Sequence, residues 1–314
     1  MPVQPFFPPD GIPTFARAPL AAPDDIVEAD VVVLGVPWDG GTGLRGGARH
    51  GPRAIREASL RFPLWADHRP AGYWDVVAEQ PRLAGVRVVD LGDVTIVRAS
   101  QERTVEAITA AARAARKGGG LLLTLGGDHS ITFPLVCAFD DQANLGIVQL
   151  DAHLDFADTV QGVRLNSSTP LRRVSELPHV GPMAVIGLRG LRTDPAAFAA
   201  ARARGNALVS RAALRRDEPD AAVASLPPME RVYLTLDIDV LDPTLAPGAS
   251  APELDGLRYD ELRAILLAVA RRSRIVGVDV VEVSPPLDPA GTTALAAAQA
   301  VIELLGAVFA SRGN

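Results

Sequence analysis

Residues 145–155 read LGIVQLDAHLD, a short apolar run that ends in two aspartates and a histidine at alternating positions. Apolar runs of this length are typical of strands that are covered by helices on both faces. In open parallel sheets, ligands bind just beyond the carboxyl ends of the strands. The stretch therefore predicts a buried parallel strand over residues 145–150, with Asp151, His153 and Asp155 at a functional edge of the sheet.

Seven further apolar runs alternate with longer segments of helical periodicity that are rich in alanine, leucine and arginine. With the first run, the predicted strands are residues 31–36, 86–90, 121–125, 145–150, 184–187, 207–209, 231–236 and 275–280. Helices are predicted between them, for example over residues 101–117 and 259–272. Because strands that alternate with helices indicate βα units, we expect an α/β fold with a parallel sheet between helices.

The composition is that of an ordinary globular protein with one large core: 314 residues, of which 48% are hydrophobic and 22% are charged. The net charge is −6 without a run of like charges, so the basic surface of a nucleic-acid or membrane-binding protein is not expected. No apolar stretch is long enough to cross a bilayer. We expect a single domain over residues 31–314, with residues 1–30 as an N-terminal arm of that domain.

The N-terminus and the cysteine content predict a cytoplasmic protein. The first residues are rich in proline and lack the basic start and the continuous apolar segment of a signal peptide. A single cysteine rules out an intrachain disulfide, and so nothing in the sequence requires an oxidising compartment.

Two other polar strings follow predicted strands in the same way. Residues 126–130 read GGDHS and residues 237–243 read DIDVLDP. A lone Asp-x-Asp is often a helix cap or a turn, but three strings at three strand ends favour a metal site. The predicted ligands are His129, Asp151, His153, Asp155, Asp237 and Asp239. This oxygen-rich set with two imidazoles suits Mn²⁺ or a near neighbour better than tetrahedral zinc, and two such ions can ionise one water between them.

These strings are similar to those of the ureohydrolases, the arginase and agmatinase family. The resemblance extends to residues 11–17 (GIPTFAR), 47–56 (GARHGPRAIR) and 282–285 (EVSP), so it covers nearly the full chain and points to the agmatinase-like branch. It implies a three-layer αβα arginase-like fold around a mainly eight-stranded parallel sheet. It also implies a homo-oligomer, either a trimer or a hexamer.

The resemblance assigns the donors to two divalent metal ions, with Mn²⁺ as the first choice and Ni²⁺ as the alternative. It implies that one ion is bound by His129, Asp151, Asp155 and Asp237. It implies that the other ion is bound by Asp151, His153, Asp237 and Asp239. Asp151 and Asp237 would then bridge the two ions.

By the same resemblance, hydroxide that bridges the metals attacks the guanidinium carbon of the substrate. Resonance deactivates that carbon, so a strong nucleophile is needed, and metal binding can lower the pKa of water from 15.7 to about 7. Asp155 could accept the proton and pass it to the leaving amine. Glu282 is the predicted partner of the guanidinium, since a carboxylate and this planar cation form two parallel hydrogen bonds. The alternative for Glu282 is a strand-end glutamate paired with an arginine.

Two loops depart from the family pattern, and both concern the substrate rather than the metals. Residues 166–173 read NSSTPLRR, where Ser167 replaces a histidine that most agmatinase-like members carry. A hydroxyl can hydrogen-bond a substrate but cannot buffer a proton near pH 7. Residues 248–252 read GASAP where the family usually has Gly-Thr-Gly-Thr-Pro. In the loop at residues 157–164, Asp158 could bind a distal ammonium group of the substrate or could simply be solvated.

The predicted function is the release of urea from a small cationic guanidino compound. Agmatine, hydrolysed to putrescine, is the first choice because it lacks the α-carboxylate that arginases bind; guanidinobutyrate, guanidine, metformin and dimethylguanidine are alternatives. A second class is a catalytically silent subunit of a hetero-oligomer. Only Ser167 favours this class, and the presence of all six metal ligands argues against it. A third class is an amide deacetylase on the same fold, disfavoured by Glu282 and by the two-metal ligand count.

Overall fold

The computed structural model describes residues 12–26, 28–62, 64–66 and 69–310. An eight-stranded sheet lies at its centre. In chain order its strands β1 to β8 are Val31–Gly35, Val88–Asp93, Leu121–Leu125, Leu145–Leu150, Val180–Leu188, Ala207–Ser210, Arg231–Asp237 and Arg274–Val281. The helices α1 to α9 are Gly51–Ser59, Gln101–Arg116, Thr132–Cys137, Pro170–Val174, Pro195–Ala203, Arg211–Arg216, Pro219–Ala224, Tyr259–Arg272 and Thr292–Val308. Two short antiparallel hairpins pair Trp65–Ala66 with Arg69–Pro70 and Tyr73–Asp75 with Gln80–Arg82.

Helices cover both faces of the sheet, which gives the three-layer α/β architecture that the sequence predicts. Val31 and Val33 of β1 belong to a hydrophobic cluster with residues of α1, α8 and α9. Val32 and Leu34 belong to a second cluster, with residues of α2, α3 and α4. Successive side chains of a strand point to opposite faces, so a strand buried on both faces is mostly apolar. None of the described helices is long and apolar enough to span a membrane.

Each of the eight predicted strands is present; two match the predicted bounds, four differ by one residue at one or both ends, and two differ by more. β2 begins at Val88 rather than at residue 86, and it extends to Asp93 because this end still pairs with β1. β5 begins earlier than predicted, at Val180, because this residue pairs with Leu145 at the start of β4. The ends of these strands therefore depend on their partners in the sheet and not on local apolarity alone.

The described part of the N-terminal arm packs against the sheet. Phe15 is fully buried, and its N–H donates to Oδ2 of Asp90 in β2 at 2.8 Å. The same carboxylate forms a buried ion pair of 2.8 Å with Arg56 of α1. We infer that this arm belongs to the same domain as the sheet. The beginning of the motif predicted at residues 11–17, like the rest of residues 1–11, lies outside the described residues.

The strand order brings loops that are distant in the chain together at one edge. All neighbouring strands are parallel and run in the spatial order β6-β5-β4-β7-β8-β3-β1-β2. The adjacent strands β4, β7, β8 and β3 therefore end at the same edge of the sheet. Asp151, Asp237, Glu282 and His129 lie at or just after these four ends. The topology thus places the candidate site at the centre of the carboxyl edge, as expected for open parallel sheets.

Candidate metal centre and active site

His129 lies at the centre of the first cluster of predicted ligands. Its Nδ1 lies 3.1 Å from Oδ2 of Asp151, 2.9 Å from Oδ2 of Asp155 and 3.3 Å from Oδ2 of Asp237. Its other ring nitrogen, Nε2, lies 2.9 Å from Oγ1 of Thr235 in β7. When Nε2 carries the proton and donates to Thr235, Nδ1 presents its lone pair to the three carboxylates. This tautomer is the one that a metal at Nδ1 requires.

The second cluster surrounds His153. Its Nδ1 lies 2.9 Å from Oδ2 of Asp239 and 3.5 Å from Oδ1 of Asp151. Asp151 thus presents one carboxylate oxygen to each histidine, as a bridging ligand would. Asp237 presents Oδ2 to His129, while its Oδ1 accepts the Asp239 N–H at 2.8 Å. The structure therefore brings all six predicted ligands together, and the bridging role of Asp237 stays a prediction.

The two clusters fit two cations. His129, Asp151 and Asp237 form one group, and Asp151, His153 and Asp239 form the other; the donor atoms of each group lie within 4.8 Å of one another. When both histidines carry their proton on Nε2, as metal ligands do, the buried Nδ1 of His129 and the buried Oδ2 of Asp239 have no hydrogen-bond donor facing them within the described structure. Buried polar atoms without a partner are costly, and a bound cation would satisfy both. Carboxylates with imidazoles are also suitable donors for Mn²⁺.

The pKa values in the two clusters show how strongly the carboxylates attract positive charge. Burial, followed by the charge of Asp151, raises the pKa of Asp155 to about 6. Burial lowers the pKa of His129, but the surrounding carboxylates outweigh this effect and raise the pKa well above the ordinary value. The same balance raises the pKa of His153. Without cations the histidines therefore hold protons, which bound metals would displace.

Hydrogen bonds behind His129 hold its ring in place. Thr235, whose Oγ1 contacts the ring, lies 3.3 Å from Oγ1 of Thr132. Asp279 of β8 is fully buried, and its Oδ2 accepts from Thr132 at 2.9 Å and from the hydroxyl of Tyr233 at 2.7 Å. These residues come from β7, β8 and α3, so the sheet itself orients the predicted metal ligand.

Two residues of the site have a left-handed backbone conformation. Asp155 has a φ of 49° and Glu282 has a φ of 65°. Residues other than glycine rarely adopt this conformation, which costs about 1–3 kcal/mol and persists only where the surrounding structure enforces it. Each residue follows the end of a strand and directs its carboxylate toward the site. The sequence contains no signal for either conformation.

The position of Glu282 is the one that the predicted contact with a guanidinium requires. Its side chain lines the cavity beside the metal clusters, is only 4% exposed, and accepts the His129 N–H at 2.8 Å through Oε1. Burial, followed by the charge of Asp128, raises its pKa to about 8. The alternative interpretation requires an arginine paired with Glu282. Among the described residues no arginine forms such an ion pair. A substrate guanidinium could therefore supply the missing positive charge.

The cavity beside the clusters has a volume of about 420 Å³. The two loops that depart from the family pattern both contribute to its wall, through Ser167 and Ala251. Ser167 is half-buried, and its N–H donates to the carbonyl of Gly41 at 2.9 Å, which holds the loop at the wall. The predicted contact between Ser167 and the substrate is therefore sterically available and stays a prediction.

Asp158 is the predicted substrate residue that does not line the cavity. Its neighbours Ala157 and Thr159 do so. The Asp158 carboxylate instead lies 2.5 Å from Nη2 of Arg173 and 3.6 Å from Nη1 of Arg164. A distal ammonium group would have to compete with these two cations for the carboxylate. The structure therefore does not favour the predicted role of Asp158.

Two charged residues of the site are missing from the sequence prediction. Oε1 of Glu253 lies 3.2 Å from Nε2 of His153, and Nη2 of Arg192 lies 3.1 Å from the same nitrogen. Glu253 follows the loop at residues 248–252, and Arg192 lies between β5 and α5. Neither residue belongs to a recognisable motif. The only available signal was their position beyond strand ends at the carboxyl edge.

Known proteins are similar to this chain in sequence and in fold. The sequence profile of the arginase family matches residues 29–306. Guanidinopropionase from Pseudomonas aeruginosa is 37% identical over 305 residues, which cover 94% of this chain and 91% of that protein. Agmatinase from Bacillus anthracis is 34% identical over 88% of this chain and 91% of its own length. The solved structure of proclavaminate amidino hydrolase from Streptomyces clavuligerus has a TM-score of 0.85 and 32% identity, and covers 97% of this chain and 99% of that chain.

Proposed function

The chain belongs to the arginase family, and we propose that it is a binuclear-metal ureohydrolase that releases urea from a short guanidino acid. One observation carries the proposal: Asp151 is shared between two histidine-containing clusters, and Glu282 lies on the wall of the adjoining cavity. A guanidinium bound to Glu282 would lie beside both cation sites. The relatives of this chain include hydrolases named for guanidino compounds, which supports the same reaction class.

The residues of the site have separate roles in the proposed reaction. Two divalent ions, when bound, would ionise a water near neutral pH. Glu282 would bind and orient the guanidinium through parallel charge-assisted hydrogen bonds. Asp155 lines the cavity and would carry a proton toward the leaving nitrogen. One water is consumed: its oxygen becomes the urea oxygen, and both of its protons end on the amine that leaves.

Arg192 and Asp194 both line the cavity, and the acidic residues nearest its loops are engaged by other groups of the protein. Agmatine, the first choice from the sequence, carries an ammonium at the end far from its guanidinium. Asp158 is paired with Arg173, and Asp194 caps α5 by accepting the Ala196 N–H at 3.0 Å. A guanidino acid carries a carboxylate at that end and so needs no unpaired carboxylate of the protein to bind it. We therefore rank short guanidino acids above agmatine.

A urea-release assay tests the proposal. Metal-free protein is loaded with Mn²⁺ or Ni²⁺ and given 3-guanidinopropionate, 4-guanidinobutyrate, agmatine, arginine and guanidine in turn. We expect urea and amine in equal amounts, with the highest kcat/KM for a guanidino acid, and loss of activity after chelation. A higher kcat/KM for agmatine would overturn the ranking of substrates. No urea from any compound would overturn the proposed function.

Three further properties remain predictions from the sequence. They are Mn²⁺ as the native metal, a trimeric or hexameric homo-oligomer, and a cytoplasmic location. Elemental analysis of protein purified from its own cells tests the metal. Light scattering tests the assembly, and cell fractionation tests the location.

A further inference from the structure

Arg192 is the residue at the cavity whose role is not explained by the metal clusters. It lies in the loop between β5 and α5 and lines the cavity wall. Among the described residues that line this cavity, it is the one with a permanent positive charge. Its side chain is 58% exposed, so the guanidinium can change position at little cost.

The present contacts of Arg192 are with His153 and Glu253. Nη2 of Arg192 lies 3.1 Å from Nε2 of His153, and Nε of Arg192 lies 3.5 Å from Oε1 of Glu253. The same Glu253 oxygen lies 3.2 Å from Nε2 of His153, so it is nearer to the histidine than to Nε of Arg192. Arg192 and Glu253 therefore compete for one ring nitrogen. A guanidinium can only donate hydrogen bonds, whereas a carboxylate can only accept them.

Glu253 is favoured in this competition, because a proton on Nε2 can be donated to a carboxylate but not to a guanidinium. Nδ1 of His153 faces Asp151 and Asp239, so a bound ion would take the lone pair of Nδ1. The neutral ring then carries its proton on Nε2, and metal-ligating histidines usually donate this proton to a carboxylate. Glu253 is that carboxylate. With its proton on Nε2, His153 offers no lone pair to Arg192, whose guanidinium is held only by the long contact with Glu253.

From this geometry we propose that Arg192 binds the carboxylate of the substrate and thereby selects guanidino acids, an inference that rests on the proposed function. The planar guanidinium of arginine matches a carboxylate with two parallel hydrogen bonds. The substrate then lies between two complementary charges, with its own guanidinium on Glu282 and its carboxylate on Arg192. Because Arg192 and Glu282 line the same cavity of about 420 Å³, the spacer between the two ends of the substrate is short.

The test compares Arg192→Gln and Arg192→Glu with the wild-type protein, all loaded with Mn²⁺. Arg215→Gln is the matched control, because Arg215 on α6 is also 58% exposed, pairs with Asp255 and does not line the cavity. Urea release gives kcat and KM for 3-guanidinopropionate, 4-guanidinobutyrate and agmatine. Calorimetry gives the affinity for 3-guanidinopropionate independently of turnover, and elemental analysis gives the metal content.

We expect Arg192→Gln to raise KM for the guanidino acids about 10- to 100-fold, the range for a lost charge-assisted contact, with kcat little changed. KM for agmatine should stay the same, and Arg192→Glu should lower it. Arg215→Gln should behave as wild type. An equal loss for all three substrates, or an unchanged affinity for 3-guanidinopropionate, would overturn the role of Arg192. Absence of urea from every substrate with wild type would overturn the proposed function instead, while calorimetry would still decide the role of Arg192.

Discussion

Replacement of Glu282 by glutamine tests the predicted guanidinium contact directly. Glutamine keeps the shape of the side chain but removes the charge and turns one acceptor atom into a donor. Glu282 is 4% exposed, so a bound guanidinium would lose a charged partner in a site with little water. Hydrogen bonds to charged groups contribute about 1.5–3 kcal/mol each. With two weakened bonds we expect a loss of about 3–4 kcal/mol, which is on the order of 100- to 1000-fold in kcat/KM.

The fold should tolerate this substitution. Burial raises the pKa of Glu282 to about 8, so in the metal-free protein the carboxyl is largely neutral near pH 7, as glutamine is. Tm and metal content should therefore match those of the wild type. Glu303→Gln is the matched control, because Glu303 on α9 is a largely buried glutamate that contacts Arg263 at 3.2 Å, away from the cavity.

Urea release with the best substrate gives kcat/KM for both variants, elemental analysis gives the metal content and thermal denaturation gives Tm. A decrease of less than about tenfold with Glu282→Gln would refute the guanidinium contact. Loss of metal from this variant would also refute it, and would indicate that Glu282 acts by holding the backbone N–H of His129.

Four other predictions concern the metals, the pH and the substrate. Asp151→Asn should remove most of both bound ions, because this carboxylate faces both histidines; elemental analysis that still finds two ions per chain would contradict it. Glu253→Gln should weaken Mn²⁺ binding about 10- to 100-fold, because His153 loses the acceptor of its Nε2 proton, and titration against a chelator measures this change. The increase in Tm on adding Mn²⁺ should grow between about pH 5 and pH 7. The pKa of Asp155 is raised from 3.8 to about 6. Its contribution to the stability of the metal-free fold is therefore full below pH 3.8 and is lost as the pH rises through 6. A Tm increase on adding Mn²⁺ that does not depend on pH would contradict this prediction. Ser167→His should change the ranking of guanidines by kcat/KM but not the metal content, since Ser167 lines the cavity, and an equal loss for every substrate would show that it does not select among them.

The strands and the metal donors could be predicted from the sequence because both depend on local patterns. A strand covered on both faces must be mostly apolar, and so Leu121–Leu125 and Leu145–Leu150 lie where the pattern places them. The polar residues that follow them, among them His129 and Asp151, must then lie at the carboxyl edge. The type of site follows from these residues, because carboxylates and imidazoles at several strand ends have few other uses.

Tertiary structure decided which strands are neighbours and which charges meet. The order β4-β7-β8-β3 makes one site from segments that are far apart in the chain. Glu253 and His153 are 100 residues apart, and the contact between Arg173 and Asp158 likewise depends on how two loops fold. Each of these charges is unremarkable alone, so no local pattern reveals its partner. The sequence therefore determined the family and its metal donors, and the packing of the loops determined which other charges meet around the cavity.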